Sequence, residues 1–398
     1  MTKATIRGLS SGANQQGVRD YNERLILTTI QRGGAMPGSS LAKATGLSPQ
    51  TISVILRSLE AEGLVERGDP QRGHIGKPRV PMRLRPDGAY SVGLKLGRRN
   101  SDMVLTDLSG RILGHRNTRY AFPQPGPVLD FLERGLEELL TPLGADAARV
   151  AGIGVARPFE MWKWPDAIGA QPAELNAWAD LDVAEEIGRF SDLPVIIEND
   201  ATAACRAEHI YGRGKEFRDY AYFYIGSFIG GGIVLNHTVF EGASGNAGAL
   251  GNLPAQSPAG QRGQLLDFAS LYLLEDALVS KGEPRDLLWR DPQDWTDFET
   301  ELGDWTRTAA HHLARAALTV TAIIDFEAVL IDGAFPEAVR ARLVDAVHSE
   351  MQALDARGLI PPRIEAGSIG ALAREKGAAT APIISRYLMD THRGLNVA

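Results

Sequence analysis

The first patterned stretch is residues 22–31. Leu25, Ile26, Thr29 and Ile30 repeat there at helical spacing, and Gly33-Gly34 follow as a stop. Ser39-Ser40 then precede an apolar turn at 41–45, read as a short helix with a serine cap. Gly46 supplies a tight turn. Ser48-Pro49 opens a longer helix over 49–62, Ser as cap and Pro at the first position, burying Ile52, Ile55, Leu56 and Leu59. Gly63 ends it. Residues 64–67 read as a strand, 68–73 as a turn and 78–84 as a return strand. Two helices about a glycine turn followed by a hairpin predict a winged helix-turn-helix.

Beyond residue 88 the pattern changes to apolar strands alternating with helices. Strands are expected at 91–96, 102–107, 112 onward, 151–155, 195–200, 220–225 and 329–332. An amphipathic helix is expected over 128–140 and another over 201–210. The fold class is α/β. The motif of a strand, a Gly turn and a second strand occurs near 91 and again near 222, which predicts two similar lobes with a cleft between them. The expected division is a head at 18–87, a first lobe at 88–205 and a second lobe at 206–398, with the C-terminal helix free to return to the first lobe. Residues 1–17 read as an arm, and 275–300 carry no functional signal.

Charge sharpens this picture. The 398 residues carry a net charge of −7, yet residues 1–85 hold 13 basic and 6 acidic side chains, leaving +7 on the head and −14 on the body. A basic head on an acidic body is the asymmetry of a chain that presents one end to a polyanion; a solvated basic tail is the plainer alternative. Gln50, Thr51, Ser53, Val54 and Arg57 lie on the open face of the second helix. Its early positions are those that reach base edges, and Arg57, a turn or more later, meets phosphate. Arg72, Lys77, Arg79, Arg83 and Arg85 crowd the wing. The expected partner is double-stranded operator DNA.

Cys205 is the single cysteine, so an internal disulfide and a multi-cysteine zinc site are both excluded. That usage fits a cytoplasmic protein. The opening residues have no apolar core of a signal peptide, and the most apolar stretch, 313–331, is broken by Arg315, Asp325 and Glu327, so no membrane span is expected.

Four segments of the body carry a resemblance. They are Glu198-Asn-Asp-Ala-Thr-Ala-Ala204, the glycine-rich 225–236, Glu241-Gly-Ala-Ser-Gly-Asn-Ala-Gly248, and Val329-Leu-Ile-Asp-Gly-Ala334. Together with the head they resemble the ROK family of repressors and sugar kinases. The resemblance implies a two-lobed actin-like ATPase (sugar-kinase-like) fold with an N-terminal winged helix-turn-helix domain. It also implies a homodimer or higher oligomer controlled by a sugar-like effector.

Within that resemblance Asp200 matches the kinases' catalytic base and Asn199 a sugar-hydroxyl partner. Such a carboxylate can take a hydroxyl proton or simply hold a sugar, and a helix-capping role stays open. The kinases' first phosphate loop, Asp-x-Gly-Gly-Thr, reads Lys95-Leu-Gly97-Arg98-Arg99 in this chain. A Lys replaces the acid that helps organise the metal, and Arg98 replaces a glycine. The second loop, Gly226-Ser227 with Gly230 to Gly232, keeps its glycines, either for an anion or for hairpin geometry.

The family's zinc-binding His and three Cys correspond to Asn252, Ser257, Ala259 and Gln264, and two sugar-binding acids to Ala249 and Leu266. No metal and no cofactor are therefore expected. The candidate effector residues are Asn199, Asp200, Gly245, Asn252, Glu160 and Trp162. The last two come from the loop after strand 151–155, whose aromatics serve either sugar stacking or packing. Three functions compete: a ligand-responsive regulator without enzymatic activity, an active kinase with a regulatory head, and a constitutive regulator whose body only dimerises.

Overall fold

The computed structural model describes residues 15–70, 79–163, 175–290 and 293–389. The head is built on α1 (Gln15–Gly33), α2 (Gly38–Thr45) and α3 (Pro49–Ala61). Its small sheet places β3 (Pro81–Leu84) between β1 (Met36–Pro37) and β2 (Val65–Arg67). Gly46 turns between α2 and α3 at φ 72°, and Ser48 caps α3 by accepting the Thr51 amide at 3.1 Å. The buried residues of α3 are Ile52, Ile55, Leu56 and Leu59, the four expected from spacing. Ser39 and Ser40 do not cap α2: the helix begins at Gly38, after an extended Pro37, and has no side-chain cap. Strand β1 was not expected, because two residues carry no periodicity.

Two five-stranded sheets form the body, and they share one topology. In the first, β4 (Tyr90–Leu96), β5 (Asn100–Asp107) and β6 (Ile112–Arg119) form an antiparallel meander. Strand β7 (Val150–Arg157) pairs parallel with β4, and β8 (Val195–Asn199) with β7. In the second, β9 (Tyr220–Ile225), β10 (Ile229–Leu235) and β11 (Thr238–Phe240) make the meander. The hairpin β12 (Pro254–Gln256) and β13 (Arg262–Gln264) follows. Then β14 (Ala328–Gly333) pairs parallel with β9, and β15 (Arg363–Ala366) with β14.

Helices cover the sheets. In the first lobe these include α4 (Pro125–Leu140), α5 (Val183–Ile187) and α6 (Asp200–Tyr211). Then come α7 (Leu266–Ala269), α8 (Leu271–Ser280), α9 (Glu299–Ile324) and α10 (Glu337–Gln352).

The last helix, α11 (Ala373–Tyr387), returns to the first sheet and packs on β4, β7 and α6. Glycine makes that approach possible. A methyl at Gly154 would fall 1.8 Å from the Ala378 carbonyl oxygen, and one at Gly377 would fall 1.7 Å from that of Ala203.

The head is docked on the body by a shared core. Ile26, Leu27 and Ile30 of α1 pack in one cluster with Leu108, Ala151, Ile383, Ile384 and Leu388. Polar contacts flank it: Arg24 donates to the Ser385 carbonyl at 2.7 Å, Gln31 to that of Ile210 at 2.6 Å and Arg32 to that of His237 at 2.8 Å. Among the described residues no helix is long and apolar enough to cross a membrane.

Candidate functional site

A cavity of 440 Å³ opens between the two lobes. Its floor comes from the junction of β8 and α6. Asn199 ends the strand and caps the helix, its side-chain oxygen accepting the Ala201 and Thr202 amides at 2.9 and 3.2 Å. The capping role left open for Asp200 thus falls to Asn199, and Asp200, the first residue of α6, lines the cavity. Asn199 also approaches Asn246 side chain to side chain at 3.4 Å, linking the floor to the second lobe. Glu160 lines the cavity from the loop after β7, at φ 45° and paired to Lys163 at 2.7 Å. Asn252 lines the far wall.

Two candidates lie elsewhere. Trp162 packs against the first-lobe core with Arg157 6.0 Å from its ring, and it is outside the cavity lining. Gly245 borders a separate cavity of 60 Å³ beside Glu198, Arg206 and Glu241. A loop carries no period that fixes which way its side chains turn, so the sequence could not separate these from Glu160.

The first phosphate loop is filled by its own side chains. Lys95, almost fully buried on β4, donates to Asp102 at 2.9 Å and to Asn100 at 2.7 Å, and lies 3.8 Å from Glu375 of α11. His115 contacts the other Asp102 oxygen at 3.1 Å. Burial pushes the Asp102 carboxyl up, but Lys95 and His115 outweigh it and hold the group well below the usual carboxylate range. Burial and the neighbouring Asp102 push Glu375 up to about 7, against Lys95. The Arg98 guanidinium lies 3.9 Å over the ring of Phe228, a second-lobe residue packed against the cores of both lobes. Beside it Arg374 of α11 sits 3.5 Å from Asp200 and 5.1 Å from the Tyr224 ring.

The residues do not fit a magnesium nucleotide in this loop, because an ammonium and a guanidinium occupy the place of the acid and the glycine. The second glycine loop is explained by packing. The Gly226 and Ser227 carbonyls accept the first amides of α8, and the Ile229 amide donates to Ser270. A methyl at Gly230 would fall 2.7 Å from Ala201 of α6, and one at Gly232 2.4 Å from Cys205.

The zinc loop of the resemblance is likewise rebuilt. Asn252 donates to Gln264 at 3.0 Å, so two former ligand positions bond each other directly. Ser257 accepts the Gln261 amide through its hydroxyl at 3.1 Å. Amide, hydroxyl and methyl groups are no zinc ligand set, and the residues do not fit the metal.

On the head, Gln50, Ser53, Val54 and Arg57 are exposed along α3, while Thr51 is half buried and bonded to the Ser48 hydroxyl at 2.9 Å. Arg79 is exposed. Arg72 and Lys77 lie outside the described residues. Arg83 pairs with Glu66 at 2.7 Å and Arg85 with Asp87 at 2.6 Å, so these two wing cations have acidic partners within the head.

A ROK family model matches residues 91–380, and a winged helix-turn-helix DNA-binding model matches residues 19–66. The chain belongs to the ROK family. An uncharacterized protein of Sinorhizobium fredii is 26% identical over 92% of this chain and 91% of its own. The xylose repressor of Bacillus subtilis is 26% identical over 68% of this chain and 71% of its own. The DNA-binding transcriptional dual regulator NagC of Escherichia coli is 23% identical over 67% and 65%. Among solved structures, a ROK family transcriptional regulator that is a homologue of the E. coli Mlc protein superposes with a TM-score of 0.65 at 21% identity. It covers 92% of this chain and 96% of its own, and shows the shared fold of head and body.

The ROK body holds further cavity residues that the sequence reading missed. Asn246 lay inside a recognised motif and was available as a signal. Arg374 was not: it is far from Asp200 in sequence and reaches it only because α11 returns to the first lobe.

Proposed function

We propose that this ROK protein is a ligand-responsive transcription regulator, a repressor of carbohydrate genes, whose kinase-like body binds a sugar-like effector without phosphorylating it. One observation carries the reading. Helices α6 and α11 both run from the cavity to the head. Asp200 and Arg374 near their starts line the cavity, while Ile210 and Ser385 near their ends accept hydrogen bonds from Gln31 and Arg24 of α1. The two helices pack at glycine distance, so one cannot shift without the other. An effector that draws Asp200 or Arg374 toward itself would tilt α1 and so reset the paired reading helices on DNA.

In this proposal Gln50 and Ser53 meet the major groove, Thr51 supports the cap, and Arg57, Arg72, Lys77 and Arg79 contact phosphate. Asn199, Asp200, Glu160 and Asn252 hold the effector. The protein acts in the cytoplasm as a homodimer or larger homo-oligomer, with a head at 18–87 and two lobes at 88–205 and 206–398, α11 lying with the first. The xylose repressor of Bacillus subtilis, by its name, supports the class of effector.

The kinase reading has one observation in its favour, Asp200 in the cleft, and Lys95 and Arg98 against it. The test is duplex binding by the full chain, read by fluorescence anisotropy with and without candidate sugars, beside an assay for sugar-dependent ATP hydrolysis. Sugar-sensitive DNA binding without hydrolysis supports the proposal. Sugar-dependent hydrolysis at an ordinary enzymatic rate, about 1 per second or faster, would replace it with the kinase.

A further inference from the structure

We propose that Val54 reads a base: its methyl groups pack on the C5-methyl group of a thymine in the major groove, within about two base pairs of the base that Gln50 reads. The inference rests on the reading of the head as a DNA-binding module. Val54 is 53% exposed on α3, an apolar side chain in the middle of a polar surface. Ile52, Ile55, Leu56 and Leu59 are buried on the other side of the helix and fix which face is open. On that face Gln50, Val54 and Arg57 follow one another at i, i+4 and i+7, a single stripe along the helix. Residues 49–57 contain no acidic side chain, and Glu60 beyond them is held by Arg67 at 2.8 Å. Nothing on the stripe therefore repels a polyanion.

A valine gains little by standing on an open helix face. Its branched side chain is a poorer helix former than the alanine, lysine or glutamate that suit such positions, and its methyl groups stay in water. Against DNA it has one suitable partner. The thymine C5-methyl is the apolar group among the base edges of the major groove, where the other bases present hydrogen-bond donors and acceptors. Valine answers neither, so over any other base it strips water from a polar edge and returns no hydrogen bond. The contact selects thymine both by what it buries and by what it would leave unpaired elsewhere. The distance to Gln50 sets the spacing. Four residues advance about 6 Å along a helix, and successive base pairs lie about 3.4 Å apart, so the two side chains meet neighbouring or next-nearest pairs. Arg57, whose Nε donates to the Ser53 carbonyl at 3.1 Å, closes the far end of the stripe and is left to phosphate.

Exchange of thymine for uracil removes that methyl group and leaves base pairing intact. The test selects a tightly bound duplex from a random pool with the full chain and replaces each dT in turn by dU. Affinity is read by anisotropy at fixed salt for wild type and Val54→Ala. Alanine is the stronger helix former and the position is exposed, so the variant folds, and its melting temperature checks this. The expected result is a thymine at which dU weakens wild type roughly threefold to tenfold, the effect of burying one methyl group. At that thymine Val54→Ala binds dT and dU equally, and its salt dependence is that of wild type, because no charge is lost. The thymine lies within about two base pairs of the position at which Gln50→Ala loses discrimination; a larger separation overturns the shared stripe. A wild type indifferent to every dU overturns the proposal, as does a dU effect of the same size in Val54→Ala. If Val54→Ala weakens every duplex alike and lowers the mass of the assembly in sedimentation, Val54 joins two heads, and the thymine contact is wrong while DNA binding stands. If the full chain has no preferred duplex, the thymine contact falls together with the DNA-reading head.

Discussion

Lys95→Met removes the ammonium that plugs the first phosphate loop while keeping an unbranched side chain one atom shorter. Two bonds vanish, at 2.9 Å to Asp102 and 2.7 Å to Asn100. Asp102 is left with Asn100 and His115 in a setting where its side chain is 9% exposed and that of Lys95 2%. Removing one partner of a buried pair costs about 3–5 kcal/mol, because the surviving charge stays buried. For lobes of this size that is a fall of roughly 6–20 °C in Tm. The sign with pH follows from Asp102, whose folded pKa is depressed. The stabilisation is present above the unfolded value of about 3.9 and is lost as pH falls through the folded value. The deficit of the variant therefore holds at neutral pH and closes in acid. Differential scanning calorimetry at pH 7.5 and at decreasing pH reads it. The double variant Lys95→Met/Asp102→Asn, which removes both charges of this pair, recovers most of the loss. A Tm within about 2 °C of wild type at pH 7.5 in the single variant would refute the claim that Lys95 is locked in this network.

Other outcomes follow from the same geometry. Glu375, raised to about 7 by burial and Asp102, loses its contribution to stability as pH rises from about 4.3 toward 7. Glu375→Gln therefore melts with wild type near pH 4 and above it at pH 8, and a gain that is the same at both pH values contradicts this. Gly154→Ala, which drives a methyl onto the Ala378 carbonyl oxygen, destabilises by about 1–3 kcal/mol or more, read by urea titration. Gln31→Ala leaves cavity binding intact and shrinks the effector's influence on DNA affinity; an undiminished response removes α1 from the coupling. Elemental analysis of the purified protein finds no stoichiometric zinc, since Asn252 and Gln264 bond each other; one zinc per chain would overturn the motif assignment. Arg57→Ala weakens duplex binding and lowers its salt dependence by about one counterion, and unchanged affinity at moderate salt argues against the reading face.

The parts legible in the sequence are those with a short period or a local motif. The four buried residues of α3 follow from their spacing, and the Ser48 cap and the Gly46 turn from single-residue chemistry. The doubled strand-turn-strand motif, read as two similar lobes, lies at the start of each five-stranded sheet, since each meander is contiguous in the chain. What escaped was which residues the C-terminal helix, read only as free to return to the first lobe, would bring to the cavity and to the head. Helix α11 has a Pro inside it and a nearly uniform burial that masks an amphipathic stripe, so nothing local marked it as the strut between cavity and head. Arg374 escaped with it. Trp162 and Gly245 sit near cavity residues in sequence and still point elsewhere, because loop direction is decided by packing. The degeneration of the phosphate loop was readable as a change of residue types. That Lys95 of β4 turns inward to Asp102, while Arg98, in the bend after β4, lines the cleft over Phe228, required the two lobes to be placed in the fold.

The most direct test of the central claim is to select tightly bound duplexes from a random pool and then titrate the best of them by anisotropy. The titration uses the full chain at physiological salt, with and without a small molecule shown by calorimetry to bind the cavity. The account predicts a preferred duplex bound at least about 1,000-fold more tightly than random sequence, and a change of about 5-fold to 150-fold in that affinity when the cavity is filled. No preferred duplex, or a preferred duplex whose affinity is the same with the cavity empty and filled, would contradict it.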